Sequence, residues 1–495
     1  MAALLSFVVC KFMSLKLSAC IAGVVLFFSS YSYSSPTAYL PVGKDKLLEY
    51  QIDRMFALTD GVPMAKPYRI SEINMALRKL HSVNRPLYNS IRKRLTSYFS
   101  KDDVTRQGVK LRYDSGEVVR LANDRSNQSN EYAEISLEGV WRGSDSSLLQ
   151  LGMDYRVRQG DLVPYNTFYA LGGDTFQLNL GYKEHWFSPF KSFAQVYSTN
   201  AQPSPSVSLG LIAPLTNWWN FDFELFYSEL EHVEQGIVYQ GKLHSGKPKL
   251  AGTHISIEPI EGWTIGLNRM MQFGGGPRKV STSDIIKAYF DPAGSDNKTA
   301  QLSQDAELGD QWATITSTVQ TNFYTPAEWY FEYGGEDTKG HKNYQFGNTV
   351  ASFGLYLPQL TSNTTLRYEY TNMHSLWYEN EIYPAAGNTI KGAVVGHFAG
   401  DMREFGDSAP SQIHTLEMTL SDNVNSMWRA KYTQVDNKSG YLNEFNEVGK
   451  DYEKAQALQI SNSRMIDKRQ VETTLTVGKD VFGQSYTWLS LNVYW

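Results

Sequence analysis

QSYTWLSLNVYW, residues Gln484 to Trp495, is the stretch on which the reading of the whole chain turns. Thr487, Leu489, Leu491, Val493 and Trp495 fall on one face of it, and Trp488, Ser490, Asn492 and Tyr494 on the other. Strict alternation with period two is the pattern of a β-strand held between two unlike environments. A row of Leu, Val and Trp on one face suits a strand whose outer side meets hydrocarbon and whose edge closes a barrel. The last strand of a soluble β-sandwich would alternate in the same way, so the rest of the chain has to separate the two.

The alternation recurs upstream. Ile135, Leu137 and Trp141 face away from Glu134, Ser136, Glu138 and Arg142. Leu149, Leu151, Met153, Tyr155 and Val157 alternate with Gln150, Asp154, Arg156 and Arg158. Phe221 to Ser228, Trp263 to Asn268, Leu366 to Thr371, Leu416 to Leu420 and Met427 to Thr433 repeat the pattern. At about 20 to 25 residues per strand and connection, the chain from Gln107 onwards holds about 16 to 18 strands. In a membrane barrel the charged members of these pairs point into the lumen. That predicts a mixed-charge interior of Glu134, Glu138, Asp154, Arg156, Arg158, Asp222, Glu224, Arg367, Glu369, Glu417, Arg429 and Lys431. Both signs in one lumen favour ion pairs and plugging loops over a one-sign selectivity ring. Long loops rich in Gly, Pro, Asn, Asp and Ser are expected near 159–175, 186–218, 228–250, 273–311, 335–348, 371–411 and 436–456.

Composition agrees with a barrel. The chain is 42% hydrophobic with a mean hydropathy of -0.38, and carries 31 Tyr, 24 Phe and 11 Trp. Aromatic richness at low hydropathy fits strands that alternate lipid-facing and water-facing residues. After residue 35 nothing approaches the roughly 18 consecutive apolar residues of a membrane helix. Lys11 and Lys16, the apolar run Leu17 to Phe28 and the small residues Ser32-Tyr33-Ser34 predict a signal peptide over residues 1–34. The start codon is either Met1 or Met13. Leu17-Ser18-Ala19-Cys20 matches a lipoprotein box, but the apolar run follows the Cys instead of preceding it. Both cysteines, Cys10 and Cys20, lie in this segment, so no disulfide and no Cys-based metal site is expected in the mature chain. A terminal strand ending in Phe or Trp resembles the signal read by the barrel assembly machinery of Gram-negative outer membranes.

Residues 35–106 read differently. Leu47, Leu48, Ile52, Met55 and Phe56 make one helical stripe. Ile73, Leu77 and Leu80 make a second, with Ser71 as the expected N-cap, and Leu87, Ile91 and Leu95 a third after Pro86. A small α-helical bundle is predicted. Between Lys44 and Arg106 there are 13 Lys/Arg against 7 Asp/Glu, whereas residues 107–495 hold 31 against 44. A basic head before an acidic body marks a boundary near residue 106 and excludes nucleic acid as a partner of the body.

The chain shows no GxSxG elbow, phosphate-binding loop or HExxH helix, so no catalytic residues and no cofactor or metal are expected. Gly396-His397-Phe398-Ala399-Gly400-Asp401, followed by Glu404 and Asp407, gathers a His and carboxylates, and fits an ordered loop as well as an acid–base or metal site. Asp291 to Asp296 lacks the later Glu that a calcium loop needs. More distinctive is 176–228. There His185-Trp186-Phe187-Ser188-Pro189 leads to Asn200-Ala201-Gln202-Pro203-Ser204-Pro205 and then to Trp218-Trp219.

These segments resemble the Wzi capsule-assembly family, which has a Trp-Trp-Gly-Pro-like turn followed by an Asn-Ala-Arg-Pro-Ile-Pro-like segment. Tyr39-Leu40-Pro41-Val42-Gly43 is similar to the family's mature start. Trp263 to Gly276 and Gly396-His397-x-x-Gly400-Asp401 are similar to two further family segments. Departures are His185 and Gln202, where Arg is usual, and Ser204 in place of Ile. The resemblance implies an all-β transmembrane barrel of about 18 antiparallel strands in the outer membrane, over residues 107–495, with long extracellular loops and a periplasmic helical bundle. It implies a monomeric, lectin-like protein that is not an enzyme and that holds capsular polysaccharide or exopolysaccharide at the cell surface. The residues expected to touch polysaccharide are His185, Trp186, Asn200, Gln202, Trp218, Trp219, His397 and Asp401. A porin or substrate-specific channel is the alternative.

Overall fold

The computed structural model describes residues 35–495 apart from 60, 116–123, 128, 295–303, 337, 340–341, 375–376, 379, 385–387, 400–409, 423 and 438–451. Among the described residues, eighteen antiparallel strands close into one barrel. The first nine are β1 Asp102–Asp114, β2 Ala133–Ser144, β3 Ser147–Arg156, β4 Asp161–Gly172, β5 Phe176–Tyr182, β6 Ser206–Leu211, β7 Asp222–Glu229, β8 Lys249–Ile260 and β9 Trp263–Phe273. The rest are β10 Gly309–Asn322, β11 Pro326–Gly335, β12 Thr349–Leu357, β13 Thr364–Met373, β14 Ser411–Ser421, β15 Ser426–Asp436, β16 Ala455–Ile466, β17 Arg469–Lys479 and β18 Ser485–Tyr494. β18 closes the barrel on β1, with Trp488 to Tyr494 opposite Asp114 to Gly108.

The period-two pattern sorts side chains as expected. Tyr486, Ser490 and Asn492 are buried inside, while Leu489 (48%) and Leu491 (42%) are exposed outside. Leu475, Val477, Leu458, Ile460, Leu416 and Met418 continue the exposed apolar belt on neighbouring strands. A contiguous apolar surface of this extent is unfavourable against water and is stable only in hydrocarbon. Of the charges assigned to the lumen, Glu134, Glu138, Asp154, Arg156, Asp222, Arg367 and Glu369 are buried. Arg158 is not among them: it lies past the end of β3, exposed, where its backbone N–H donates to Glu131.

Two expected loops hold strands of the barrel wall, and two more hold separate strand pairs, Val233–Tyr239 with Lys242–Gly246 and Thr389–Ile390 with Ala393–Val394. The 159–175 region contains β4, split by Tyr165 and Asn166 into two pieces that both pair with β3. Asn166 sits at φ 41°, a left-handed conformation Asn accepts more readily than most residues. The 186–218 region contains β6, the six-residue run SVSLGL. Both are too short, and too rich in Gly and Ser or interrupted by Pro, to show a clear alternation. β1 begins at Asp102, inside the segment assigned to the bundle.

The bundle comprises α1 Lys46–Leu58, α2 Ile70–Val83 and α3 Arg85–Arg94. All three predicted stripes are buried, joined by Val140, Leu148 and Phe168 of the barrel wall. Asn84 caps α3 by accepting from the Leu87 N–H, and Pro86 stands in its first turn. Ser71 is not a cap. α2 starts at Ile70, so Ser71 lies inside it, and the Ser71 hydroxyl donates to the Ile212 carbonyl just past β6. Bundle and barrel meet at the end where strand connections are short: Arg54 donates to Ser362, and Gln51 and Ser90 to the Val424 carbonyl. The long connections 183–205, 274–308 and 374–410 all leave the opposite end.

Candidate functional site

The 183–205 connection does not stand away from the barrel; it runs across the lumen. The carboxylate of Glu369 on β13 accepts from the backbone N–H groups of Lys191 (2.8 Å) and Ser192 (2.9 Å). Ser188 donates to Glu332 on β11 at 2.8 Å, and Asn268 on β9 to the Phe187 carbonyl at 3.1 Å. Gln195 reaches Ser352 and Thr371. Buried backbone groups need such partners, and the inward polar residues of β9 to β13 supply them. The N-terminal segment is held likewise, Tyr39 exchanging two hydrogen bonds with the Gln150 amide. Segment 393–399 lies over 183–205: Asn200 donates to the Val394 carbonyl (2.8 Å) and Ser198 to Gly396.

Five of the eight predicted contact residues come together in this plug. His185 is buried, stacked on Phe226 at 4.0 Å and bonded through Nδ1 to Glu224. Burial, and then the charge of Lys183, lowers its pKa to about 4. The cation that balances Glu224 is Lys183, whose Nζ meets both carboxylate oxygens at 2.8 and 2.9 Å. Trp186 is buried, its indole donating to the Phe190 carbonyl at 3.0 Å with the Lys66 ammonium over its ring. The Gln202 N–H donates to Ser126. His397 is buried between Phe193 and Phe398, its Nδ1 accepting from the Ala399 N–H, and burial lowers its pKa to about 3. Burial thus favours the neutral ring. Trp218 (71% exposed) and Trp219 (68%) lie at the other end, on the short 212–221 turn. Asp401, with Glu404 and Asp407, falls outside the described residues.

Because the plug leans on β9 to β13, it leaves a gap against β14 to β18 and β1. This cavity of about 340 Å³ is bounded by α1, Lys191 and the inward residues of those strands. Among the described residues, nine Lys/Arg and five Asp/Glu line it. Asp53 of α1 pairs with Lys191 (3.1 Å) and Arg367 (3.0 Å), and Glu417 pairs with Arg367 (3.3 Å) and Arg429 (3.7 Å). Lys46 reaches Glu472, and Lys110 lies 3.6 Å from Asp124.

The sequence matches the family model for capsule assembly protein Wzi over residues 99–478. The chain belongs to the Wzi family.

The solved structure of Wzi is described as an outer membrane protein involved in group 1 capsule assembly in Escherichia coli and as a carbohydrate-binding β-barrel. It matches with a TM-score of 0.68 at 13% identity, over 93% of this chain and 99% of that one. The eighteen-stranded fold is that of the Wzi barrel. Crystal structures of OccAB4 from Acinetobacter baumannii and OprD from Pseudomonas aeruginosa match with TM-scores of 0.44 and 0.43 at 9% identity. They cover 80% and 81% of this chain, and 98% and 94% of their own. A sequence search of curated proteins gives no match. Within this Wzi-family chain, the cations Lys44, Lys191 and Arg125 of the lumen escape sequence reading, because they sit on irregular segments with no periodicity to point them inward. Lys431 and Arg429, on a regular strand, do not escape it.

Proposed function

We propose that this outer-membrane barrel binds exported capsular polysaccharide or exopolysaccharide and keeps it attached to the cell surface. Membership of the capsule assembly family carries the reading. The plug supports it: a lumen crossed by 183–205 and stopped at one end by α1 to α3 suits display and binding better than conduction. On this reading residues 1–34 are a signal peptide, the bundle faces the periplasm, and the long connections face outward. The protein works by binding, without a catalytic step and without a cofactor, as a monomer inserted by the barrel assembly machinery. His185, Trp186, Asn200, Gln202 and His397 then shape the binding surface from beneath, while Trp218 and Trp219 seat the barrel at the periplasmic membrane interface. Deleting the protein and measuring cell-attached against released polysaccharide tests the proposal. A fall in the attached fraction, restored by the intact chain, is expected; an unchanged ratio overturns it.

A further inference from the structure

Among the described residues, the five carboxylates that line the lumen gap all face cations: Glu49 lies 3.7 Å from Lys66, Asp124 and Glu134 face Lys110, and Asp53 and Glu417 share Arg367. Lys431 stands outside these ion pairs. It stands opposite Glu417 in the β14–β15 register, but Glu417 is taken by Arg367 and Arg429, and Lys431 makes no hydrogen bond or ion pair among the described residues.

Register places Lys431 in a row with neutral partners. It pairs with Gln459 on β16, Gln459 with Thr476 on β17, and Thr476 with Trp488 on β18, all lining the gap. At roughly 4.8 Å per strand, the ammonium-bearing and indole-bearing positions are about 14 Å apart, the length of a short oligosaccharide. Two residues along each strand, the adjoining row ends on Arg429 at one side and Arg112 at the other. The Arg112 guanidinium lies 5.6 Å from the Trp488 ring. Amide and hydroxyl groups match sugar hydroxyls, and an indole face matches a pyranose ring. The cations at both ends match carboxylates.

We infer that this gap, between the plug and the wall of β14 to β18 and β1, binds a segment of acidic polysaccharide, with uronate-type carboxylates at Lys431 and Arg112 and a sugar ring on Trp488. The inference rests on the proposed polysaccharide-binding function and names the chemical class and the place. The test is calorimetric titration of the purified full-length protein in detergent, with trigalacturonate as acidic probe and maltotriose as neutral probe. The expected result is saturable trigalacturonate binding that weakens with salt and exceeds maltotriose binding at least tenfold. Lys431→Gln should lose about tenfold of the acidic affinity, and Lys431→Arg should keep it. If Lys431→Gln does not fold, Arg112→Gln provides the same readout from the other end of the row. Equal affinity for the two trisaccharides, or no change in either Gln variant, overturns this site. An unchanged attached-polysaccharide ratio on deletion would instead overturn the broader function.

Discussion

Single residues separate the two faces of the wall. Leu489 on β18 lies beside Leu475 on β17, both exposed to the outside. Leu489→Arg puts a charge into hydrocarbon at a cost of about 2–4 kcal/mol near mid-depth. The folded, heat-modifiable band in outer-membrane fractions should weaken strongly, while Leu489→Val should leave it unchanged. His397 gives a pH-dependent case. Its folded pKa, about 3, lies below the ordinary 6.5, because burial disfavours the charged ring. Its contribution to stability is therefore whole above about pH 6.5 and is lost as pH falls toward 3. Once the intrinsic pH dependence of amide exchange is divided out, the opening equilibrium of 393–399 should rise as pH falls from 7.5 to 5, and His397→Phe should flatten that rise. An equal opening equilibrium at both pH values would contradict the buried neutral ring.

Helices, strands and the plug are joined at shared buried charges as well as by apolar packing. Asp53 of α1 holds Lys191 of the plug, Arg367 of β13 and the Tyr68 hydroxyl at once. Asp53→Asn leaves Lys191 without its ion-pair partner and Arg367 with Glu417 alone, a loss of about 3–5 kcal/mol when a buried pair is broken. Proteolysis of 183–205 should become markedly faster, with the barrel itself still closed. Loss of the barrel, or unchanged proteolysis, would show that α1 does not anchor the plug in this way. The helices were legible in sequence because a stripe such as Leu87, Ile91 and Leu95 needs only local spacing. β4 and β6 were not, because Asn166 splits one and SVSLGL is too short and small to alternate visibly.

At the scale of the molecule the question is whether the lumen conducts. The 183–205 segment crosses the lumen, α1 to α3 stop one end, and the gap left beside the plug is about 340 Å³. Purified protein in planar bilayers should give no large steady single-channel current; such currents would return the porin alternative. The exposed aromatic residues Trp218, Trp219, Phe323 and Tyr324 all lie on short turns at the bundle end. Replacing Trp218 and Trp219 together by Ala should leave polysaccharide retention intact, because they stand at the opposite end from the long connections.

What the sequence determined by itself was the wall. Period-two alternation sets which side chain faces lipid at Leu489 and which faces the lumen at Asn492, since a strand leaves its residues only two directions. The helical stripes and the family resemblance were equally readable from local spacing. Only the tertiary structure decided the contents of the barrel. Irregular segments have no period, so nothing in HWFSPFKSF says that Lys191 reaches Asp53 or that Ser188 reaches Glu332. The residues that stood out in sequence, His185, Trp186 and His397, lie buried in and under the plug. That Lys431 forms no hydrogen bond or ion pair among the described residues emerged only when strand register and the pairing of Glu417 were known. Ion pairing in a lumen is a competition among groups distant in the chain, and its outcome depends on distances that closure of the barrel creates.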